Sequence, residues 1–182
     1  MDTYNKKIFD NNSTNIGIIY RNYSDHKKEV ELRKIAVACK KKRYPLFVSN
    51  NIKLALKFKA DGIYIPAFNK LKRFLNFEKR NLLILGSAHN QKEIKQKIAQ
   101  KCKIIFLSPT FCVKKSRDFL DIHRFNNLSN LNSINFCALG GINEQNIKKI
   151  KLISVKGFGG ISFFKKKPAL FTGPVYQRIK FF

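Results

Sequence analysis

The sequence predicts an α/β fold of the (β/α)8 TIM-barrel type, with seven recognisable strands and an incomplete N-terminal end. Three observations point there. Short apolar runs alternate with helical patterns at regular intervals along the 182 residues. Most of these runs are continuous rather than alternating, as in a parallel sheet covered on both faces. Two of them, Ile104–Leu107 and Ile134–Leu139, end in turns suited to an anion: Ser108-Pro109-Thr110-Phe111 and Gly140-Gly141-Ile142-Asn143-Glu144. A strand running into paired glycines and then a helix is the βα corner where bare backbone and a helix start can hold a phosphate.

The elements follow in order. Ile16–Tyr20 reads as a strand ending at Arg21, and residues 25–42 read as a helix with Val30, Ile35, Val37, Ala38 and Cys39 on its apolar side. Leu46–Val48 is a short buried strand, and Asn50 or Asn51 caps a helix over 51–58. Ile63–Ile65 is a strand stopped by Pro66, with a helix expected over Asn69–Phe77. Leu82–Leu85 is a strand ending at Gly86-Ser87-Ala88-His89. Asn90 caps a helix over 91–101, whose Ile94, Ile98 and Cys102 recur at i, i+4 and i+8. After Ile104–Leu107 come a basic loop (Val113-Lys114-Lys115-Ser116-Arg117) and a short helix near 118–129. The strand Ile134–Leu139, a helix over 144–151 and a last strand Gly159–Phe164 complete the pattern. Residues 1–15 read as an irregular N-terminal segment, 16–164 as the barrel domain and 165–182 as a basic C-terminal tail.

Composition narrows the function classes. With 44% apolar residues the chain can bury one substantial core. No apolar run approaches the roughly 18–20 residues needed to span a bilayer, and the N-terminus lacks the apolar centre of a signal peptide. A cytoplasmic protein with no membrane partner is the expectation. Cys39, Cys102, Cys112 and Cys137 show no CxxC spacing, so they read as reduced thiols rather than disulfides or metal ligands. The net charge of +26, from 37 basic and 11 acidic residues, raises a nucleic-acid surface. The lysines, however, scatter over every expected helix, and abundant Asn, Ile and Phe accompany them, as AT-rich codons would give. A solvated basic surface that draws in small anions is preferred over a nucleic-acid footprint.

The order of corners resembles the thiamine phosphate synthase/TenI family of TIM barrels over roughly residues 16–164. Phe47-Val48-Ser49-Asn50 is similar to that family's Leu-Ile-Asn-Asp strand, and Ala60-Asp61-Gly62-Ile63-Tyr64-Ile65 to its Ala-Asp-Gly-Val-His-Leu strand. Leu85-Gly86-Ser87-Ala88-His89 resembles its Gly-Val-Ser-x-His turn, and Leu107-Ser108-Pro109-Thr110-Phe111 its Pro-x-Phe-Pro-Thr loop. Ala138-Leu139-Gly140-Gly141-Ile142 matches Ala-Ile-Gly-Gly-Ile, and Gly157-Phe158-Gly159-Gly160-Ile161 stands where the family has Gly-Ala-x-Gly-Val. A single Gly-Gly-Ile corner occurs in many barrels; six pieces in order specify the fold.

The resemblance implies a reaction in which a pyrimidine methyl diphosphate is coupled to a thiazole phosphate and pyrophosphate leaves. It implies small phosphorylated substrates, with Arg21, Ser87 and Lys114 as catalytic candidates. Gly140, Gly141, Gly160, Ser162 and Phe163 would hold substrate phosphate, and Ser49, Asn50 and His89 would line the pocket. It also implies Mg²⁺, but the two positions matched to metal carboxylates are Asn50 and, near the following strand end, Asn69. Two neutral amides remove most of the charge that holds a hard dication, so no metal ligand is assigned. Ile19 and Tyr23 likewise replace a Gln and a Lys of the motif around Arg21.

Only 15 residues precede the arginine strand, where the family has a strand and a helix. The barrel is therefore expected to be open, truncated or completed by another chain, a homo-oligomer included. Three functions stay open at this point. They are a synthase, a TenI-like or non-catalytic relative that binds thiazole phosphate or thiamine phosphate, and a basic nucleic-acid-binding module.

Overall fold

A computed structural model describes residues 1–10, 16–23, 28–71, 82–113 and 118–165. Seven parallel strands run side by side in chain order: β1 (Ile18–Tyr20), β2 (Leu46–Ser49), β3 (Gly62–Ile65), β4 (Leu83–Ala88), β5 (Ile104–Leu107), β6 (Asn135–Leu139) and β7 (Gly157–Gly159). The order is that of an incomplete (β/α) barrel with β1 and β7 as its two ends. The helices are α1 (Lys6–Asp10), α2 (Lys28–Lys42), α3 (Ile52–Lys57), α4 (Gln91–Ala99), α5 (Asp121–Asn130) and α6 (Ser162–Lys165), with a 3-10 helix at Ile147–Leu152.

The register sorts the side chains into two layers. Phe47, Tyr64, Leu85, Phe106 and Cys137, one from each of five successive strands, form the inner cluster. Their neighbours in sequence, such as Val48, Ile63, Ile65, Ile84, Ile105 and Ala138, point outward into the larger core beneath the helices. Both faces are thus buried, which is why the strands read as continuous apolar runs. In α2, Leu32, Ile35 and Cys39 face the sheet at i, i+3 and i+7. The N-caps are made as the sequence suggests: the side chains of Asn51 and Asn90 accept from the N–H groups of Leu54 and Glu93, each at 3.0 Å.

Several expectations need correction. Val30 and Val37 lie on the solvent side of α2, at 55% and 66% exposure. In α4, Ile98 is turned outward and Lys97 is fully buried in its place. Gly86, Ser87 and Ala88 belong to β4 rather than to a turn after it. The last strand ends at Gly159, and Ser162–Lys165 is helical, so the expected run to Phe164 breaks at Gly160. Residues 147–152 wind as a 3-10 helix. Within the N-terminal segment expected to be irregular, Lys6–Asp10 forms a helix that buries Ile8 and Phe9. The helix expected over 69–77 lies mostly outside the described residues, as does the basic loop at Lys114.

The free edge of β1 is occupied by the first residue. The Met1 ammonium donates to the Ile19 carbonyl at 2.5 Å, and the Arg21 N–H donates to the Met1 carbonyl at 2.9 Å. Helix α1 then packs against both α2 and α6, bridging the two ends of the sheet on the outside.

Candidate functional site

The candidate site is built at the carboxyl ends of the strands, where parallel barrels place their variable loops. Ser49, Tyr64 and Ser87 end or nearly end β2, β3 and β4, face inward, and are 5%, 2% and 6% exposed. Ser49 and Tyr64 are paired in register. Arg21 is exposed, one residue beyond β1. The Tyr64 hydroxyl gathers these groups: burial raises its pKa, and hydrogen bonding from Ser87 together with the charge and hydrogen bonding of Arg21 opposes that rise. A second hydroxyl joins from the β1 side, where Tyr23 Oη and Ser49 Oγ lie 2.8 Å apart.

Next to this cluster the two asparagines meet. Asn50 takes a left-handed backbone conformation (φ 56°), which short polar side chains tolerate. Its side-chain oxygen accepts a hydrogen bond from the Asn69 amide nitrogen. Asn69 sits in the turn after β3, and its backbone carbonyl is held at 2.7 Å by the Lys97 ammonium and at 3.0 Å by Gln100. Lys97 also donates to Pro66 O (2.8 Å) and Gln100 Oε1 (2.9 Å), so all three of its donors are used. Mg²⁺ needs hard oxygen ligands and usually at least one carboxylate. Here one amide turns its nitrogen toward the other's oxygen, and a buried ammonium braces the same turn. The residues at these positions do not fit Mg²⁺. Among the described residues, no group of three His, Cys, Asp or Glu converges elsewhere.

The anion corner stands on the other side of the mouth. Gly140 and Gly141 follow β6 with φ of 87° and 71°, a region costly for residues with a Cβ. At Gly141 a Cβ would also lie 2.2 Å from the Phe111 carbonyl oxygen. The loop after β5 is stapled against this corner by Thr110, which is fully buried. Its N–H donates to Leu139 O at 2.8 Å, and its hydroxyl accepts from Leu139 N–H at 3.1 Å. Asn146 donates to Gly141 O at 2.7 Å. Gly160 follows β7, whose Gly159 pairs with Leu139, so the Gly140 and Gly160 ends are neighbours. Gly160 leads into α6, which starts at Ser162, and the Phe163 ring packs edge-on against Phe158.

The remaining predicted residues fall as follows. His89 stands just past β4, with Nδ1 at 2.5 Å from the Ser108 carbonyl and its backbone N–H on Glu93 Oε2 at 2.7 Å. It ties the β4 and β5 loops together at the rim. Lys114 is outside the described residues. The structure therefore brings Arg21, Ser49, Asn50 and Ser87 into one cluster and Gly140, Gly141 and Gly160 into an adjacent corner. Tyr23, Tyr64 and Asn69 complete the cluster; the resemblance puts Tyr23 and Asn69 at motif positions as replacements, and Tyr64 is the member to which the sequence assigned no part. The period-two alternation Phe47/Ser49, Gly62/Tyr64, Leu85/Ser87 was the signal for Tyr64: each pair faces the same way. A groove of about 570 Å³, lined in part by Lys103, Asn135 and Lys156, opens at the opposite ends of β5, β6 and β7. None of the site residues reaches it.

Comparison with known proteins bears on the family and the fold. Residues 13–164 match the family described as thiamine monophosphate synthase, TMP-TENI. Two thiamine-phosphate synthases of Prochlorococcus marinus are 27% and 31% identical over 139 and 138 residues, about 72% and 71% of this chain. The chain spans only 39% and 37% of the length of those two relatives. A thiamine-phosphate synthase of Clostridium tetani is 31% identical over 70% of this chain and 63% of its own length. Among solved structures, a thiamine phosphate pyrophosphorylase of Pyrococcus furiosus superposes with a TM-score of 0.72 at 18% identity, covering 89% of this chain and 82% of that one. A phosphoribosylanthranilate isomerase from the same organism gives 0.60 at 15% identity, covering 87% and 82%. Both of these likenesses are of fold alone. With the family matched over most of its length and its fold shared, the chain belongs to the thiamine monophosphate synthase family.

Proposed function

We propose that the chain acts in the formation of thiamine phosphate, coupling a pyrimidine methyl diphosphate to a thiazole phosphate with release of pyrophosphate. The observation that carries this reading is the juxtaposition of Arg21, Tyr64 and Ser87 at the same end of the sheet as the Gly140–Gly141 corner. In this reading the N–H groups of Gly140, Gly141 and Gly160 and of Ser162 and Phe163 take the thiazole phosphate. Arg21 takes the diphosphate, with Lys114 as the second cation that the family resemblance suggests. The carbon–oxygen bond between the pyrimidine methylene and the diphosphate breaks, and the electron pair leaves with pyrophosphate. The thiazole nitrogen lone pair then forms the new carbon–nitrogen bond. Charge grows on the departing diphosphate, so a guanidinium beside it serves that step more than ground-state binding. Residues 16–164 are the working domain, 165–182 a basic tail, and the cytoplasm the compartment of this reading.

A second reading has its own support. The Asn50–Asn69 amide pair, which does not fit Mg²⁺, favours a relative that binds thiazole phosphate or thiamine phosphate without turnover. A coupling assay with both substrates, run with and without Mg²⁺, separates the two. Thiamine phosphate formation supports the synthase, and binding without product supports the second reading. Absence of both binding and product refutes each.

A further inference from the structure

Two aromatic rings stand exposed at the mouth, on the side away from the glycine corner. Tyr23 follows β1 and Phe68 follows β3, at 46% and 66% exposure, with ring centroids 5.9 Å apart and planes at 75°. Leu71, in the same turn as Phe68, is 54% exposed. Water-facing apolar groups gathered at a strand-end mouth differ from the scattered ones on the outer helices, such as Val37 and Ile98, and mark a contact surface. Neither ring is loose. The Tyr23 hydroxyl is tied to buried Ser49 at 2.8 Å, and the turn bearing Phe68 is gripped on both sides by Lys97 through Pro66 O and Asn69 O. An edge-to-face pair leaves ring faces open for a flat partner.

Charge stands beside these rings. Arg21 lies two residues before Tyr23 and reaches Tyr64, which also senses Tyr23. A ligand matching both features carries a flat ring and an anionic tail a few atoms away. We propose that Tyr23 and Phe68 hold the pyrimidine ring of the diphosphate substrate by stacking, leaving its diphosphate on Arg21. The inference rests on the functional reading above and assigns these rings as ring-specificity residues of this chain. A lysine at position 23, as the family motif has, would meet the diphosphate instead. The tyrosine shifts recognition from the tail toward the ring.

The test uses the full chain and two probes, pyrimidine methyl diphosphate and inorganic pyrophosphate, titrated calorimetrically. Tyr23→Leu and Phe68→Leu should each weaken the pyrimidine diphosphate roughly tenfold, the weight of one aromatic–base stack. Pyrophosphate affinity should stay within about twofold, and Tyr23→Phe should retain ring affinity because it keeps the face. Because the chain has no tryptophan, Phe68→Trp provides a single reporter. Its emission should shift with pyrimidine diphosphate and not with pyrophosphate. Unchanged affinity in both leucine variants, or equal loss for both probes, overturns the stacking role. If the unaltered chain binds neither probe, the functional reading falls and takes this inference with it.

Discussion

The Asn69 side-chain amide donates to the Asn50 side-chain oxygen, closing the space between the ends of β2 and β3 with a neutral pair. Two carboxylates there would repel one another unless a cation lay between them. Replacing both by amides turns repulsion into a hydrogen bond, and the turn bearing Asn69 is then secured from behind by Lys97 and Gln100. Among the described residues, the ends of β2 and β3 are thereby joined by amides rather than by carboxylates.

Mg²⁺ should therefore leave the melting temperature of this chain unchanged. The double substitution Asn50→Asp with Asn69→Asp should lose about 1–3 kcal/mol in metal-free buffer, from the lost hydrogen bond and the new like-charge contact. Millimolar Mg²⁺ should restore part of it. Thermal melts with and without EDTA measure both effects, and a Mg²⁺-dependent shift in the unaltered chain would contradict the reading.

Removing the brace has a separate cost. Lys97→Met takes the donors from Pro66 O, Asn69 O and Gln100 Oε1 at a buried position. Asn69 O keeps Gln100, but Pro66 O and Gln100 Oε1 lose their Lys97 donor, at about 1–3 kcal/mol apiece, so a net loss of about 2–4 kcal/mol is expected. Urea unfolding gives the value, and a change below about 0.5 kcal/mol would show that the turn holds itself.

The glycine corner separates two positions that look alike in sequence. Gly141→Ala combines a positive φ with a backbone collision and should destabilise the fold by at least about 2 kcal/mol. At Gly160 a Cβ meets only Phe163 Cβ at 3.6 Å, so Gly160→Ala should fold within about 0.5 kcal/mol of the original. Chemical denaturation of the pair tests this contrast directly.

Alkaline pH should unfold the protein progressively. Burial pushes the thiols of Cys39, Cys102 and Cys137 from 9.0 up to about 12. In the unfolded chain these thiols ionise near pH 9, while the folded chain still holds their protons. Stability is then present in full below pH 9 and is lost as pH rises toward 12, at about 1.4 kcal/mol per pH unit for each thiol. Urea midpoints between pH 8 and pH 10.5 follow the loss. At pH 8 in native buffer, a thiol reagent should label exposed Cys112 and spare the three buried cysteines.

Strand identity was legible for β1 to β6 because both faces of a parallel sheet must be apolar, so these strands appear as largely hydrophobic runs, whereas β7 is Gly157-Phe158-Gly159 and its apolar signal lay further on. The glycine corner was legible because only glycine suits those dihedrals. What escaped has physical reasons too. The Lys97 side chain looks like surface charge, yet its ammonium finds three oxygens within the fold and displaces Ile98 from the inner face. Tyr64 reads as core until the register shows it level with Ser49 at the site. The sequence places Gly160 inside the last strand because Ile161, Phe163 and Phe164 are apolar, but the two aromatic rings pack on Phe158 from a helical turn. No sequence period announces the Asn50–Asn69 contact, since a loop crossing of 19 residues makes it.

The central claim is that the strand-end mouth holds a phosphorylated thiazole beside a diphosphate site. Calorimetric titration of the chain with thiazole phosphate tests it most directly, with Arg21→Ala and Gly160→Ala alongside and Mg²⁺ present or absent. Binding should not require Mg²⁺, should survive Arg21→Ala, and should weaken in Gly160→Ala without loss of stability. Absence of binding under both conditions, or binding strictly dependent on Mg²⁺, would contradict it.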